Sequence, residues 1–338
     1  MTDETESAQL ELTLIEGWEQ LPEGWTHDDV ADVAVDENDD VYVLARWTAR
    51  VLHYDAAGRF LASWGEDVLS DRPHGLTLAP DGTLYCVDEL DHVVRQFSKQ
   101  GELLRTIGMP GTRSDTGHDP GPADLYVRIA SIERGAGPFN RPTSVAVTED
   151  GELYVADGYG NCRVHRFDPG GQLLGSWGEP GTGPGEFHLP HAIVSLDDGR
   201  LVVADRENER LQVFDPQGRF LEFWTATRRP SALAIDRDGR ILVGELARSP
   251  GERSWIHGEA TTFLPARISV FEPNGTLVER LTSPPLGEPG SFVAPHGMAT
   301  DSQGGLYLGE VSATYCGMKD IPTTGLHTLS KWQLPGQA

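Results

Sequence analysis

The sequence predicts an all-β protein, a six-bladed β-propeller of 338 residues. A unit of about 40 residues recurs along the chain, each unit divides into four short strands, and Asp-Gly turns separate many of these strands. Almost no segment has the 3.6-residue apolar period of an amphipathic helix. Six such units close into a ring around a central channel. We expect the whole chain, 1–338, to form this one domain.

The repeat is clearest in two adjacent units, which align along their length. One reads "NRPTSVAVTEDGELYVADGYGNCRVHRF" and the other "LPHAIVSLDDGRLVVADRENERLQVF". Each runs from a proline through a short apolar strand, an Asp-Gly turn and a second strand that ends in Ala-Asp, and then into two further strands. Reading outward from this pair places blades at approximately 28–66, 72–108, 140–178, 189–224, 229–282 and 294–335.

Two kinds of segment lie outside the repeat. The sixth unit shows three evident strands, and the alternating stretch "LELTLIEGW" at 10–18 is predicted to supply the fourth, which closes the ring and removes an open sheet edge. Three insertions, 108–139, 247–265 and 312–325, are long for blade connections. We expect the first two on the rim of the ring, where long loops often cover a pocket, and the third within blade 6.

The composition excludes several classes of partner. A net charge of −25 disfavours nucleic acid and anionic membranes, because both repel an acidic surface. No apolar run approaches the ~20 residues that span a bilayer, and the acidic N-terminus "MTDETESAQL" is unlike a secretory signal. Three widely spaced cysteines form neither a zinc-ribbon pattern nor an even disulfide framework. The sequence therefore predicts a soluble, cytoplasmic protein without nucleic-acid or membrane partners.

A Pro-His pair opens the first strand of the second, fourth and sixth units, at His74, His191 and His296. In a propeller the first strand of each blade lines the channel, so its first residues lie at one rim. The other three rim positions are Thr143, Ser231 and, in the first unit, Asp32 or its neighbour. Alternate blades of a six-bladed ring are about 120° apart, and the three imidazoles should therefore converge on the axis.

Three converging imidazoles with an open fourth position form the ligand set of catalytic zinc. Copper, iron and nickel also accept imidazole, so the pattern predicts a metal centre with zinc as the first choice. A single histidine at a strand start is more often a satisfied turn residue. Three histidines among six equivalent positions would be roughly a one-in-a-thousand coincidence in a chain with eleven.

The connections that leave the second strands reach the same rim and place Arg46, Tyr159 and Arg206 there, in "VLARW", "DGYGN" and "ADREN". Two arginines above a cationic metal favour a small substrate that carries a carboxylate. A tyrosine beside a metal and an arginine can serve as a general base. The alternative for Arg206 is an ion pair with Asp205 that stabilises a turn.

Other polar residues near the rim have simpler interpretations. Asp88, Asp157 and Asp205 recur at one repeat position, and turn hydrogen bonding explains them without catalysis. His188, two residues before Pro190, is expected to face solvent.

These motifs resemble NHL repeats and, more specifically, the peptidyl-α-hydroxyglycine α-amidating lyases. The likeness runs from about Asp28 onward and is densest over the third and fourth units. The resemblance implies a six-bladed propeller whose channel holds one zinc ion on His74, His191 and His296. It also implies Tyr159 as general base, with Arg206 and Arg46 as active-site arginines. The implied reaction breaks the C–N bond of an α-hydroxyglycine and yields an amide and glyoxylate.

The sequence departs from that family at several positions. Gly297 stands where relatives can carry an aspartate that helps bind a structural calcium ion, which weighs against calcium here. Ala294 replaces a methionine, and Asn140 and Gly160 lie near positions that are disulfide cysteines in secreted members. The missing cysteines favour an intracellular setting. We expect a small carbinolamide or another α-hydroxy acid as the substrate rather than a peptide hormone.

Two other functions stay open at this point. The same scaffold could carry a different metal-dependent enzyme, such as a lactonase, hydratase or hydrolase. It could also be a non-catalytic NHL interaction module that binds protein through its rim, although an acidic chain with three aligned histidines fits that function poorly. The sequence leaves open the amine half of the substrate, the oligomeric state and the pathway.

Overall fold

The computed structural model of the protein describes residues 8–9, 12–47, 50–319 and 326–334. The predicted fold class is confirmed, since six antiparallel sheets surround a central channel. Blade 1 comprises strands Val30–Val35, Val41–Ala45, Arg50–Tyr54 and Phe60–Trp64; blade 2, Pro73–Leu78, Leu84–Asp88, Val93–Phe97 and Leu103–Ile107; blade 3, Pro142–Val147, Leu153–Asp157, Arg163–Phe167 and Leu173–Trp177. Blade 4 comprises Pro190–Ser195, Leu201–Asp205, Arg210–Phe214 and Phe220–Trp224; blade 5, Pro230–Ile235, Ile241–Glu245, Arg267–Phe271 and Leu277–Thr282; blade 6, Pro295–Thr300, Gly305–Glu310 and Leu329–Gln333.

The N-terminal region closes the ring, as predicted. Strand Thr13–Ile15 pairs antiparallel with Leu329–Gln333 and is the fourth strand of blade 6. A second N-terminal strand, Ala8–Gln9, was not predicted and lies parallel to Leu277–Thr282 at the edge of blade 5. Residues 10–11 of the predicted closing strand, 320–325 of the third insertion and 335 of the sixth unit lie outside the described residues. The domain boundaries stay predictions.

The core lies between the blades, in six apolar clusters that each join two neighbours. Both faces of a blade are covered, which is why all five residues are buried in strands such as Leu153–Asp157 and Leu201–Asp205. A tryptophan that ends the outer strand of one blade packs on a glycine of the next blade, in the pairs Trp64–Gly101, Trp177–Gly218 and Trp224–Gly275. These glycines have φ between 81° and 86°, and a Cβ on any of them would come within 2.4 Å of the indole.

The three insertions lie around one end of the channel. The first carries a short helix, α1 (Leu125–Ala130), and the second a small hairpin of strands Arg253–Ser254 and Gly258–Glu259. The third contains helix α2 (Ser312–Lys319). A further two-stranded ladder, Glu179–Pro180 with Glu186–Phe187, follows blade 3. Among the described residues, no helix is long and apolar enough to cross a bilayer.

α1 and the hairpin touch each other across the channel end. Tyr126 stacks on Trp255 with ring centroids 3.7 Å apart, and Asp124 forms an ion pair of 2.6 Å with Arg253. We call α1, this hairpin and α2 together the roof. Because its parts come from distant insertions, the sequence pattern indicated covering loops but not their contact.

Candidate metal centre and active site

A β-bulge places each rim residue. Between the first two strands of blade 4, Pro190 pairs with Asp205 and Ala192 pairs with Ala204, so His191 has no partner across the ladder. An extra residue of this kind breaks the pairing and redirects a side chain, here into the channel. The same skip occurs in all six blades, at Ala31, His74, Thr143, His191, Ser231 and His296. In blade 1 the rim residue is thus Ala31, the neighbour of Asp32.

The structure brings the three predicted ligands together on the channel axis. One ring nitrogen from each of His74, His191 and His296 lies within 4.8 Å of the other two. The ring centroids are 4.5 to 4.8 Å apart, and all three residues are buried. This cluster is compact enough to hold one metal ion.

The next blade fixes the orientation of every imidazole. Nδ1 of His74 lies 2.7 Å from the Thr143 carbonyl oxygen, that of His191 lies 2.6 Å from the Ser231 carbonyl, and that of His296 lies 2.7 Å from the Ala31 carbonyl. A carbonyl can only accept, so each Nδ1 carries the proton and donates it. The lone pair therefore resides on Nε2, as in histidines that bind metal with a backbone carbonyl behind them.

The electrostatic environment keeps these rings neutral. Burial lowers the pKa of each of the three histidines well below its usual value, and neighbouring imidazoles and arginines lower it further. Nε2 of His74 is buried and has no hydrogen-bond partner. A buried, unpartnered lone pair is costly unless an ion occupies the space it faces. The donor set therefore fits a transition metal that prefers imidazole.

Tyr159 and Arg206 meet beside this cluster. Gly158 lets the connection cross over blade 4, because a Cβ on it would lie 2.2 Å from the Pro190 carbonyl oxygen. The Tyr159 hydroxyl is 3.3 Å from Nε2 of His191, and Nη1 of Arg206 donates to that hydroxyl at 3.2 Å. The Arg206 guanidinium also lies 5.4 Å from the Tyr159 ring centroid.

Arg46 approaches from blade 1. Its Nη2 donates to Nε2 of His296 at 3.1 Å, and its side chain is almost fully buried. Arg46 therefore lies directly beside the histidine cluster, and burial lowers the pKa of this guanidinium. The structure thus places all six predicted site residues in one region.

Two statements about neighbouring residues are corrected, the alternative that pairs Arg206 with Asp205 and the expectation that His188 faces solvent. Arg206 pairs with Glu207 at 2.9 Å rather than with Asp205, whose carboxylate pairs with Arg210 at 2.9 Å instead. Because Glu207 holds Nε of Arg206, Nη1 is directed to Tyr159. His188 does not face solvent, because Trp255 of the roof stacks on it at 4.4 Å.

Two consecutive positions at the end of each second strand differ in role. The last strand residue is acidic in five blades, and we call Asp88, Asp157, Asp205, Glu245 and Glu310 the acid ring. Each accepts a backbone N–H, at 2.5 to 2.9 Å, from the segment that leads into the first strand of its own blade. The next residues, which we call the following ring, are Arg46, Glu89, Gly158, Arg206, Leu246 and Val311. Arg46, Arg206, Leu246 and Val311 line a cavity above the histidines.

That cavity, which we call the roofed cavity, has a volume of about 630 Å³ and reaches from His296 and Tyr159 up to the roof. Seven cationic side chains and three carboxylates line it. The cations are Arg46, Arg72, Arg128, Arg206, Arg229, Arg253 and Lys319. An excess of positive charge in a protein of net charge −25 indicates an anionic ligand.

Sequence reasoning missed five of these cations. Arg72 and Arg229 had a readable signal, since an Arg-Pro pair opens the first strand in their blades, as it does at Arg141. Arg141 and Arg229 adopt left-handed backbone conformations, with φ of 63° and 47°, which are uncommon for residues other than glycine. Arg128, Arg253 and Lys319 lie on the roof and carry no repeat signal.

Below the histidines the channel is lined by different residues from those of the roofed cavity. A second space of about 340 Å³ is lined by the remaining residues of the six first strands. Among the described residues that line it, Asp32 is the acidic one, and burial raises its pKa to about 7. A Cβ on Gly297 would lie 2.5 Å from Oδ1 of Asp32. The glycine that departs from the lyase pattern therefore makes room for this carboxyl group.

Comparison with known proteins agrees with the fold. The NHL repeat family matches residues 139–167 and 187–214. NHL repeat-containing protein 3 of Homo sapiens is 30% identical over 243 residues, covering 67% of this chain and 64% of that protein. Peptidyl-glycine alpha-amidating monooxygenase of Mus musculus is 36% identical over 254 residues, 70% of this chain and 22% of that protein. A probable peptidyl-alpha-hydroxyglycine alpha-amidating lyase of Caenorhabditis elegans is 30% identical over 190 residues, 54% of this chain and 45% of that protein.

Solved structures share the architecture. Streptogramin B lyase superposes with a TM-score of 0.55 at 13% identity, over 96% of this chain and 97% of that one. A gluconolactonase of Xanthomonas campestris gives a TM-score of 0.54 at 14% identity, over 91% and 88%. At these identities the likeness shows the fold alone.

Fold and centre together define a class: a six-bladed β-propeller with NHL repeats, whose channel brings three histidines together. Within that class, the predicted resemblance to the peptidyl-α-hydroxyglycine α-amidating lyases is confirmed. The chain spans less than two thirds of each sequence relative named above.

Proposed function

We propose that this protein is a metal-dependent carbon–nitrogen lyase, with one zinc ion as the expected metal. Its substrate is an α-hydroxyglycine-like carbinolamide, R–CO–NH–CH(OH)–COO⁻, and its products are the amide R–CO–NH₂ and glyoxylate. One observation carries the proposal. Three neutral Nε2 atoms converge beside Tyr159 and Arg206 on the floor of a cationic cavity.

The histidines supply the metal-binding part of the site. His74, His191 and His296 would hold the ion, each oriented by a carbonyl of the next blade. When bound, a zinc ion supplies a Lewis acid for the hydroxyl oxygen of the substrate. Burial of the three rings strengthens such polar interactions, because little water competes for them.

Tyr159 and the arginines supply the proton transfer and the orientation. Tyr159 accepts the proton of the substrate hydroxyl, and Arg206 orients its oxygen through a hydrogen bond. The carbon–nitrogen bond then breaks with its electron pair going to nitrogen, and the hydroxyl carbon becomes the aldehyde of glyoxylate. The amide nitrogen takes up the proton that Tyr159 had accepted, which returns Tyr159 to the phenolate form that began the step. Arg206 and Arg46 bind the substrate carboxylate, for which a planar guanidinium is well suited.

Metal content tests the centre. We expect about one metal ion per chain in the untagged wild-type protein, since the three imidazoles form one tetrahedral site. His191→Ala should lose it. His53→Gln is the matched control, because His53 lies in the third strand of blade 1 and bonds Asp40 at 3.3 Å, away from the centre. A wild-type chain that takes up no zinc would contradict the proposal.

Glyoxylate release tests the reaction. With N-butyryl-α-hydroxyglycine and correction for spontaneous decay, kcat/KM should fall about 1,000-fold or more in His191→Ala and keep its wild-type value in His53→Gln. If a lactone is hydrolysed while no carbinolamide yields glyoxylate, another metal-dependent enzyme on this scaffold replaces the proposed one. If metal binds but neither reaction occurs, the result favours the alternative of a non-catalytic NHL interaction module.

A further inference from the structure

A second group of charged residues lies near Tyr159, apart from the Arg206–Glu207–Arg229 network. The buried carboxylate of Glu89 is shared by Arg72, at 3.4 Å, and Arg141, at 2.5 Å. The Arg141 guanidinium also lies 6.0 Å from the Tyr159 ring centroid. One carboxylate thus faces two arginines, and this group keeps an excess of positive charge.

Arg128 of α1 adds a third cation to this group. It lines the roofed cavity and is half-buried. Arg128 and Arg72 line the same cavity, and Arg72 shares Glu89 with Arg141, so the three guanidinium groups form one cluster. Burial lowers the pKa of Arg128, and the charges of Arg141 and Arg72 lower it further, while Tyr159 and Glu89 oppose the shift. Three arginines beside one carboxylate are an unfavourable arrangement unless an anion joins them.

Arg128 differs from most other arginines of the roofed cavity in its partners. Arg72 pairs with Glu89, Arg206 and Arg229 pair with Glu207, and Arg253 pairs with Asp124. Within the described ranges, by contrast, no carboxylate pairs with Arg128. Its Nε is buried without a hydrogen-bond partner, as are those of Arg72 and Arg229, but these two arginines each have a carboxylate at another guanidinium nitrogen. A guanidinium group that has neither an acceptor at its buried Nε nor a carboxylate partner at its other nitrogens is costly, so the missing anion is expected from a ligand.

We propose that Arg128, together with Arg72, binds a second anionic group of the substrate. The substrate is then a dianion, an N-acyl-α-hydroxyglycine whose acyl chain ends in a carboxylate. This inference rests on the proposed function for the first carboxylate, which Arg206 and Arg46 bind. A cavity of about 630 Å³ admits a molecule of this size.

The experiment compares matched substrates. N-succinyl- and N-glutaryl-α-hydroxyglycine are assayed beside their neutral terminal amides, so that each pair differs by one charge. We expect wild-type kcat/KM to favour the acidic member of a pair by about 10- to 100-fold, the range for a charge-assisted hydrogen bond. Arg128→Gln should bring this ratio close to one.

Arg134→Gln is the matched control for charge. Arg134 lies in the same insertion, is about half exposed, and pairs with Asp115 and Glu133 away from the cavity lining. The acid-to-amide ratio should keep its wild-type value in this variant. A wild-type ratio near one, or a ratio that Arg128→Gln does not change, overturns the inference.

A binding measurement separates this inference from the proposed function. Glutarate and its monoamide are titrated calorimetrically into the zinc-loaded wild-type chain and into Arg128→Gln. If no carbinolamide yields glyoxylate but glutarate still binds at least about 10-fold more tightly than its monoamide, with the difference lost in Arg128→Gln, the lyase function fails and the two-anion site stands. Glyoxylate release without charge preference overturns the two-anion site alone. Failure of glutarate to bind overturns it as well.

Discussion

The acid ring and the following ring occupy adjacent sequence positions, yet the first keeps an acidic residue from blade to blade and the second keeps no single residue type. Five blades place a carboxylate at the first position, where it accepts backbone N–H groups that no strand satisfies. The following ring carries a different kind of side chain in most blades and contributes to the roofed cavity. Backbone hydrogen bonding therefore constrains the residue type at the acid-ring position. The residue type at the following-ring position is not constrained in this way and can contribute side chains to the cavity.

Blade 1 shows what happens when the first constraint is absent. Ala45 occupies the acid position there, and Arg46 follows it. Trp47 donates instead to Asp29 at 3.3 Å, and Thr314 of α2 also donates to Asp29 through its backbone N–H, at 3.1 Å. Blade 1 thus anchors its connection with an acid from another position, and its arginine still reaches the histidines. The comparison predicts that neighbouring substitutions have separable effects on stability and on activity.

Asp205→Ala gives the largest expected effect, and it is an effect on stability. Asp205 accepts hydrogen bonds from His188, Asn208, Arg210 and Gln212. Truncation removes the acceptor of the buried His188 N–H and of Nε of Arg210 and leaves the Arg210 charge without its carboxylate, while Asn208 and Gln212 keep backbone carbonyl acceptors. The free energy of unfolding should fall by about 3–5 kcal/mol in equilibrium denaturation. Asp198→Ala, which truncates a carboxylate in an exposed turn, should cost about 1 kcal/mol or less. Equal losses in the two variants would show that the acid ring has no special structural role.

Arg206→Gln, one residue further on, should separate activity from stability. We expect kcat/KM for glyoxylate release to fall about 100-fold, because the variant loses the hydrogen bond to the Tyr159 hydroxyl and, under the proposed function, a donor to the substrate carboxylate. The free energy of unfolding should change by about 1 kcal/mol or less, since Glu207 keeps its pair with Arg229 at 3.2 Å. Arg206→Lys should recover little activity, because an ammonium group cannot form the bidentate contact. A variant that is destabilised but fully active contradicts the division between the rings.

Glu310→Gln gives the smallest effect and tests the acid ring by pH. Burial raises the pKa of Glu310 to about 7, Asp29 raises it further, and backbone N–H groups of Ala294 and Val293 oppose the rise. The thiol of Cys316 is the other titratable group that interacts with this carboxyl. The folded protein thus holds a proton that the unfolded chain releases near pH 4.5, and stability declines as pH rises from 4.5 to 7.

The glutamine variant lacks this decline at position 310. Between pH 5 and pH 8 the wild-type protein should lose about 1–2 kcal/mol more unfolding free energy than Glu310→Gln. Asp32 and Asp205 titrate equally in both proteins, so the difference isolates Glu310. Parallel stability curves would mean that this carboxyl group has an ordinary pKa.

The sequence predicted much of the site because the repeat supplies a common register. Once the units are aligned, His74, His191 and His296 occupy equivalent positions in alternate blades, and closure of the ring brings them together. The β-bulge that directs these histidines inward cannot be recognised from the sequence, because the bulge position has no characteristic residue type. Ala31 and His74, for example, both occupy it. The convergence of the three histidines was therefore predictable, but the β-bulge that produces it was not.

Contacts between distant insertions could not be predicted in this way. Trp255 covers His188 because the second insertion folds back over blade 4. The unpaired guanidinium of Arg128 depends on where α1 lies, which no repeat position determines. The alternative that paired Arg206 with Asp205 fails for a more local reason. Residues Arg206–Asn208 form a 3₁₀ turn that brings Glu207, rather than Asp205, to the guanidinium.

The hydrogen bond behind each histidine has a consequence for assembly. His74, His191 and His296 belong to blades 2, 4 and 6, and the carbonyls that orient them belong to blades 3, 5 and 1. The last of these bonds joins Ala31 of blade 1 to a residue 265 positions later in the chain. No partial ring contains all three oriented imidazoles. Capture of an ion by the proposed metal centre would therefore come late in folding, and a truncated or half-folded chain would not retain the metal.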